Sequence, residues 1–126
     1  MIFGIAAAVF AATLTSASNN DNIMTKEKGM IVVNTTELTR DVKGFKGSTP
    51  VKIYIKKNKV VKVEALPNQE TPRFFDKVNP LLKYWEGKSV NKAIEDEPDA
   101  ITGATYSSDA IMKNVLIGLE YYKAHK

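Results

Sequence analysis

Residues 51–65 have the sequence VKIYIKKNKVVKVEA, the most regular pattern in the chain. Apolar and polar residues alternate on both sides of Lys57 and Asn58, as in two β-strands that each bury one face. Asparagine tolerates a positive φ, so these two residues predict a tight turn. We therefore expect a β-hairpin with one buried face, formed by Val51, Ile53, Ile55, Val61, Val63 and Ala65.

The C-terminal part of the chain predicts a long helix that covers this hairpin. An apolar stripe at helical spacing consists of Ile111, Met112, Val115, Leu119 and Tyr122. A second apolar flank consists of Ala110, Ile117 and Tyr121, and the face expected in water holds Asp109, Lys113 and Glu120. The sequence thus predicts an α+β fold, a small twisted antiparallel sheet packed against a long C-terminal helix plus a shorter helix.

The shorter helix is predicted to begin at Thr71 and Pro72, which provide a cap hydroxyl and a first-turn proline. Its apolar face would include Phe74, Phe75 and Val78, and Pro80 is expected to end or kink it. Three shorter segments complete the assignment. Residues 29–33 are a candidate first strand, residues 35–38 a candidate helical turn, and the acidic segment 91–98 a surface loop.

Residues 99–108, DAITGATYSS, connect an extended segment to the start of the long helix through a turn of small residues. Gly103 and Ala104 allow a close approach of other groups, and amides at a helix start are suited to bind a phosphate. Hydroxyl donors at this turn are Thr102, Thr105, Ser107 and Ser108. A simple helix cap explains the same residues, since a threonine cap after a glycine turn is common and contributes ~1 kcal/mol.

The pattern Asp99-x-x-Thr102-Gly103-Ala104-Thr105 resembles the flavinylation motif of the FMN-binding domain family, Asp-x-x-Ser/Thr-Gly-Ala-Thr. This family includes the peripheral flavoprotein subunits of the sodium-translocating NADH:quinone oxidoreductase and of the Rnf complex. Further features appear in family order: Gly44-Phe45-Lys46-Gly47, the lysine-rich hairpin, Glu70-Thr71-Pro72 and Gly87-Lys88. The resemblance extends roughly from residue 44 to residue 122.

The resemblance implies that a flavin transferase esterifies the phosphate of FMN onto Thr105. Asp99 matches the acidic position, which the transferase is expected to recognise. The other candidate contacts of the phosphate are Thr102, Gly103, Ala104, Ser107 and Ser108. Candidate ring contacts are Glu70, Thr71, Pro72 and Phe74, with Tyr106 either a ring neighbour or a core residue. Many members have glycine after Glu-Thr-Pro, whereas this chain has Arg73-Phe74-Phe75. No catalytic residue and no metal site is predicted.

The resemblance implies a single-electron-carrier module rather than a stand-alone enzyme. Its partners would be a flavin transferase during maturation and a membrane or extracytoplasmic redox protein in use. Two alternatives stay open: a module of the same fold that binds FMN without the ester, and a flavin-free extracytoplasmic binding or interaction domain. The sequence leaves the oligomeric state open.

Composition limits the classes of function. The 126 residues suffice for one domain, and the absence of cysteine excludes disulfides and thiolate metal sites. The single histidine, His125, is next to the last residue and is expected in water rather than on a metal. The net charge is +4, but the lysines of the hairpin are scattered along it, and the sequence has no arginine-rich stripe. Nucleic-acid binding is therefore not expected.

The N-terminal segment 1–17 is uncharged, apolar through Leu14, and ends in small residues at Ala17. These features predict a signal peptide, although a basic start is missing, and hence an exported protein in the periplasm or another extracytoplasmic space. A buried N-terminal helix is the alternative, and a retained segment would anchor the protein to the membrane. We expect a flexible lead-in at residues 18–30 and the FMN-binding domain at residues 31–126.

Overall fold

Four antiparallel strands form one sheet in the computed structural model, which describes residues 23–43, 47–68 and 76–126. They are β1 (Met24–Glu27), β2 (Met30–Asn34), β3 (Val51–Lys56) and β4 (Lys59–Ala65), paired in chain order. Lys57 and Asn58 adopt φ values of 52° and 62° in the β3–β4 turn, as predicted. Two successive residues with positive φ give a turn whose twist suits the flanking strands.

The predicted hairpin is confirmed, but its register contains a β-bulge. Ile53 pairs with Val63, whereas Ile55 pairs with Val60, so Val61 is an extra residue in β4. Val60 is consequently buried at 1% exposure, and Val61 is 42% exposed. The prediction that Val61 lies on the buried face is wrong, because an inserted residue reverses the alternation from that point on.

A long helix covers one face of the sheet, and this confirms the predicted α+β fold. It is α2 (Thr105–His125), preceded by the short helix α1 (Val90–Glu95) and a 3-10 helix (Asn79–Lys83). Ile111, Val115 and Leu119 are at most 1% exposed and share the core with Val33 and Ile53 of the sheet. Helix α1 packs on α2 and completes the same core.

The direction of α2 is fixed by polar contacts at two points of the sheet. Near its end, the Tyr122 hydroxyl donates a 2.6 Å hydrogen bond to the Asn58 side chain in the hairpin turn. Near its middle, Asn114 accepts a 2.6 Å bond from Thr35, whose hydroxyl also accepts from the amide of Val51, the first residue of β3. A helix rises 1.5 Å per residue. The start of α2 therefore projects beyond the open end of the hairpin.

Two predicted segments differ in the structure. Residues 18–30 were expected to be a flexible lead-in, but Met24–Glu27 pairs with β2 as strand β1. Residues 91–98 were expected to be a surface loop, yet most of them belong to α1. Ser89 accepts a hydrogen bond from the Lys92 amide at 3.2 Å and caps this helix, whose apolar side is buried. In the sequence, the acidic residues at the end of this segment made its short apolar face difficult to recognise.

The structure confirms one of the other predicted segments and leaves some of them outside the described residues. Residues 29–33 were a candidate strand, and β2 (Met30–Asn34) confirms it. After Thr35 the chain forms turns, and the Thr39 amide donates to the Thr35 carbonyl at 3.0 Å, the i→i+4 bond of a single helical turn. Pro80 lies in the first turn of the 3-10 helix, and most of the helix that it was expected to end or kink lies outside the described residues. The predicted helix start at 71–72 and the signal peptide at 1–17 lie outside the described residues. Within the described part of the chain, no helix is long and apolar enough to cross a membrane.

Candidate functional site

The turn before α2 has the predicted course from an extended segment into a helix. The Ala104 amide donates to the Ile101 carbonyl at 3.0 Å, and Gly103 closes the turn at φ +86°. Helix α2 begins at Thr105, and its N-cap residue is Ala104, which makes no side-chain cap bond. The threonine cap, the simple alternative explanation of this sequence, is therefore absent. Neither Thr102 nor Thr105 occupies the cap position.

The predicted attachment residue lies at the surface. Thr105 is exposed, and so are Thr102, Gly103 and Asp99. Tyr106 is 67% exposed, which excludes the alternative that it belongs to the core. The hydroxyl of Thr105 is thus accessible to a modifying enzyme.

The two serines of the first helical turn lie inside instead. Ser107 and Ser108 are 2% and 0% exposed. The Ser108 hydroxyl donates to the Ala104 carbonyl at 2.8 Å and accepts from the Ile101 amide at 3.0 Å. A hydroxyl has one proton to donate, so Ser108 stabilises the turn from beneath. This corrects the expectation that Ser108 donates to a phosphate.

Lys77 is a residue of this turn that sequence reasoning missed. A Cβ atom built on Gly103 would lie 3.0 Å from Lys77 Nζ and 3.9 Å from Lys77 Cδ. The lysine side chain therefore crosses the turn where Gly103 has no side chain of its own. The two residues are far apart in sequence, and no periodicity distinguishes Lys77 among the many lysines of the chain. Only the fold brings them together.

The predicted ring contacts Glu70, Thr71, Pro72 and Phe74 fall in segment 69–75, outside the described residues. The same applies to residues 44–46 of the glycine-containing loop. Lys77 follows the first of these segments closely. The contact of Lys77 with Gly103 places this part of the described chain at the turn that precedes Thr105.

An open groove of about 1080 Å³, counting its open side, lies at the same end of the sheet. Its lining includes Arg40, Lys43, Ser48, Pro50, Leu66 and Pro67. The Leu66 amide donates to the Pro50 carbonyl at 3.0 Å and closes the end of the hairpin beneath it. We call this the basic groove. Its lining includes residues next in sequence to both undescribed segments, Lys43 and Gly47 beside 44–46 and Asn68 before 69–75.

A second groove, of about 490 Å³, lies between α1 and α2. Trp85, Ile94, Met112 and Leu116 give it an apolar floor, and Glu95 and Glu97 lie at its rim. Met112 follows Thr105 by seven positions, so both lie on nearly the same side of the helix, roughly 10 Å apart. We call this the interhelical groove.

The FMN-binding domain family model matches residues 44–120, more than half of the chain. The chain belongs to the FMN-binding domain family. No curated protein and no solved structure matches it. The matched region includes β3, β4, α1, the turn at Gly103 and most of α2, whereas β1 and β2 precede it.

Membership in the FMN-binding domain family implies FMN as the cofactor. The residues of the turn fit its phosphate end. Gly103 leaves room beside the backbone, Thr105 offers an exposed oxygen, and the Lys77 ammonium supplies a positive charge. The first intrahelical hydrogen bond runs from the Ser108 amide to the Ala104 carbonyl. The amides of residues 105–107 precede this bond and point out of the helix start. A negative charge is favoured at this position.

Proposed function

We propose that the protein is an exported electron carrier whose FMN is esterified through its phosphate to Thr105. One observation carries this proposal: Thr105 is the exposed first residue of α2, next to a glycine turn that leaves the cap position to Ala104. A threonine needed only for helix stability would be expected at the cap.

Attachment requires a transferase, because a threonine hydroxyl is a weak nucleophile without an activating base. The donor would hold the FMN phosphate in a pyrophosphate linkage to a second nucleotide. The bond from Thr105 Oγ to phosphorus forms, the phosphorus–oxygen bond to the departing nucleotide breaks, and the hydroxyl proton passes to a base of the transferase. Asp99, exposed at the start of the motif, is available for recognition by that enzyme.

When bound, FMN supplies the one-electron chemistry, and the chain has to position the cofactor and exclude competing reactions. The partners we propose are the flavin transferase and a membrane or extracytoplasmic redox protein.

Export rests on the apolar segment 1–17. Cell fractionation, together with N-terminal analysis of the mature chain, tests it. An unprocessed chain in the cytoplasmic fraction would contradict export.

We place the ring at the basic groove, because this groove borders segment 69–75 with its Glu-Thr-Pro sequence. A charge beside the isoalloxazine changes its absorption spectrum and potential. We expect Arg40→Glu, in the basic groove, to change the visible spectrum of the loaded protein. The matched variant Leu116→Glu, in the interhelical groove, should leave it unchanged. The opposite pattern would place the ring between the helices.

Whole-protein mass spectrometry after co-expression with a flavin transferase tests the attachment. We expect a gain equal to FMN less one water, which Thr105→Val abolishes. Thr25→Val is the matched control, since Thr25 is an exposed threonine of β1 and is not part of the motif. Acid denaturation separates the alternatives: flavin that remains with the protein is covalent, and released flavin indicates binding without the ester. A colourless protein would favour the flavin-free binding domain.

A further inference from the structure

The Lys77 side chain lies against the bare backbone of Gly103. The 3.0 Å between Nζ and the position of an added Cβ is closer than a side chain at residue 103 would comfortably allow. Gly103 thus combines a φ of +86°, which glycine adopts readily, with a bare backbone against which the ammonium group lies.

This ammonium is within reach of whatever is bonded to Thr105. Successive Cα atoms are 3.8 Å apart, so the Cα atoms of Gly103 and Thr105 are separated by at most roughly 7 Å. A phosphorus atom on Thr105 Oγ therefore lies at most roughly 15 Å from Lys77 Nζ. The Lys77 side chain is exposed, and other rotamers of a lysine can turn its ammonium from the glycine towards Thr105.

The charges near Thr105 favour a cation beside a phosphate ester at this position. A phosphodiester keeps one negative charge after attachment, and two exposed carboxylates, Asp99 and Asp109, lie near it in sequence. Both repel that charge at short range. A cation on the glycine side of the turn offsets this repulsion, and a hydrogen bond between two ionised groups is roughly twice as strong as a neutral one.

We propose that Lys77 is the positioning residue of the phosphate ester, to which its ammonium donates a hydrogen bond. The contact holds the ester against the turn. No covalent bond forms or breaks. This inference rests on the proposed attachment at Thr105.

Loading rates test the proposal. Purified protein is treated with limiting flavin transferase and its flavin dinucleotide donor, and the initial rate of mass gain is followed. Lys77→Met keeps the length of the side chain without its charge, and we expect loading on the order of tenfold slower. Lys77→Arg should retain most of the rate. Lys83→Met, which removes another exposed lysine from the 3-10 helix, should match the wild type.

Two further measurements separate this role from a merely structural one. After complete loading, the phosphorus NMR resonance should shift in Lys77→Met but not in Lys83→Met. Added salt should slow the wild type towards the Lys77→Met rate, because an exposed ionic contact is screened. If Lys77→Met equals the wild type in rate and resonance, the inference is overturned. If the wild type itself gains no mass, the attachment at Thr105 fails, and the inference fails with it.

Discussion

The Thr35 hydroxyl donates a 2.6 Å hydrogen bond to the Asn114 side-chain oxygen in the middle of the core. Thr39 donates to the same oxygen at 2.5 Å, and the Asn114 amide nitrogen donates to Ala110 at 2.9 Å. All three polar side chains are at most 1% exposed. Hydrophobic burial is non-directional, whereas these hydrogen bonds specify one register of the helix on the sheet. They therefore fix the distance by which Thr105 projects beyond the sheet.

We expect Asn114→Leu to lower the free energy of unfolding by about 1–3 kcal/mol, because the two threonine hydroxyls lose their shared acceptor. Both have another acceptor nearby, the Val51 carbonyl for Thr35 and the Thr35 carbonyl for Thr39, which limits the loss. Urea denaturation gives the value. Asn91→Leu on the exposed side of α1 is the control. Equal stability of the two variants would show that the buried bonds contribute nothing net.

Gly118 lies where the backbone of α2 packs closely on the sheet. An added Cβ would lie 2.6 Å from Ile53 Cδ1 and 2.9 Å from Thr35 Cγ2. Gly118→Ala should therefore destabilise the protein, since overpacking costs about 1–3 kcal/mol and exceeds the gain of ~1 kcal/mol in helix propensity. Ile53→Val removes the nearest atom and should restore part of the loss in a double-mutant cycle. A stabilised Gly118→Ala would contradict this packing.

The β-bulge predicts opposite behaviour of two adjacent valines. Val60→Ala should cost about 2 kcal/mol, because two buried methyl groups are lost from the core. Val61→Ala should change stability by at most about 0.5 kcal/mol, as surface substitutions do. Thermal or urea denaturation of both variants is sufficient. A greater loss of stability in Val61→Ala than in Val60→Ala would contradict the bulge and favour simple alternation along β4.

These residues also show what the sequence could predict. The alternation along β3 and the apolar stripe of α2 depend on local periodicity, and both elements formed as predicted. The bulge at Val61 depends on how two strands pair, which alternation within one strand does not contain. The motif predicted an exposed Thr105, but not that Ser108 turns inward to the Ala104 carbonyl. Lys77 needed the tertiary fold, because its contact with Gly103 joins distant parts of the chain.

Tyr54 makes stability depend on alkaline pH. Burial and the hydrogen bond to Glu64 at 3.1 Å raise the pKa of the Tyr54 hydroxyl above its ordinary value. Above about pH 10 the unfolded chain loses this proton before the folded one does, so stability falls as the pH rises. Tyr54→Phe should remove this part of the pH dependence. Urea denaturation at pH 8 to 11 would show parallel curves for the two proteins if Tyr54 contributed nothing.

Gly103 and Gly87 form a matched pair for the turn at Thr105. Their φ values are +86° and +83°, so alanine at either position pays the same conformational cost of about 1–2 kcal/mol. A Cβ at Gly87 meets nothing within 4 Å, whereas one at Gly103 meets Lys77 Nζ at 3.0 Å. Both variants should lose similar stability, but only Gly103→Ala should load flavin more slowly, because it displaces the ammonium. If Gly87→Ala slowed loading equally, the effect would come from general destabilisation, and the space left at Gly103 would have no part in attachment.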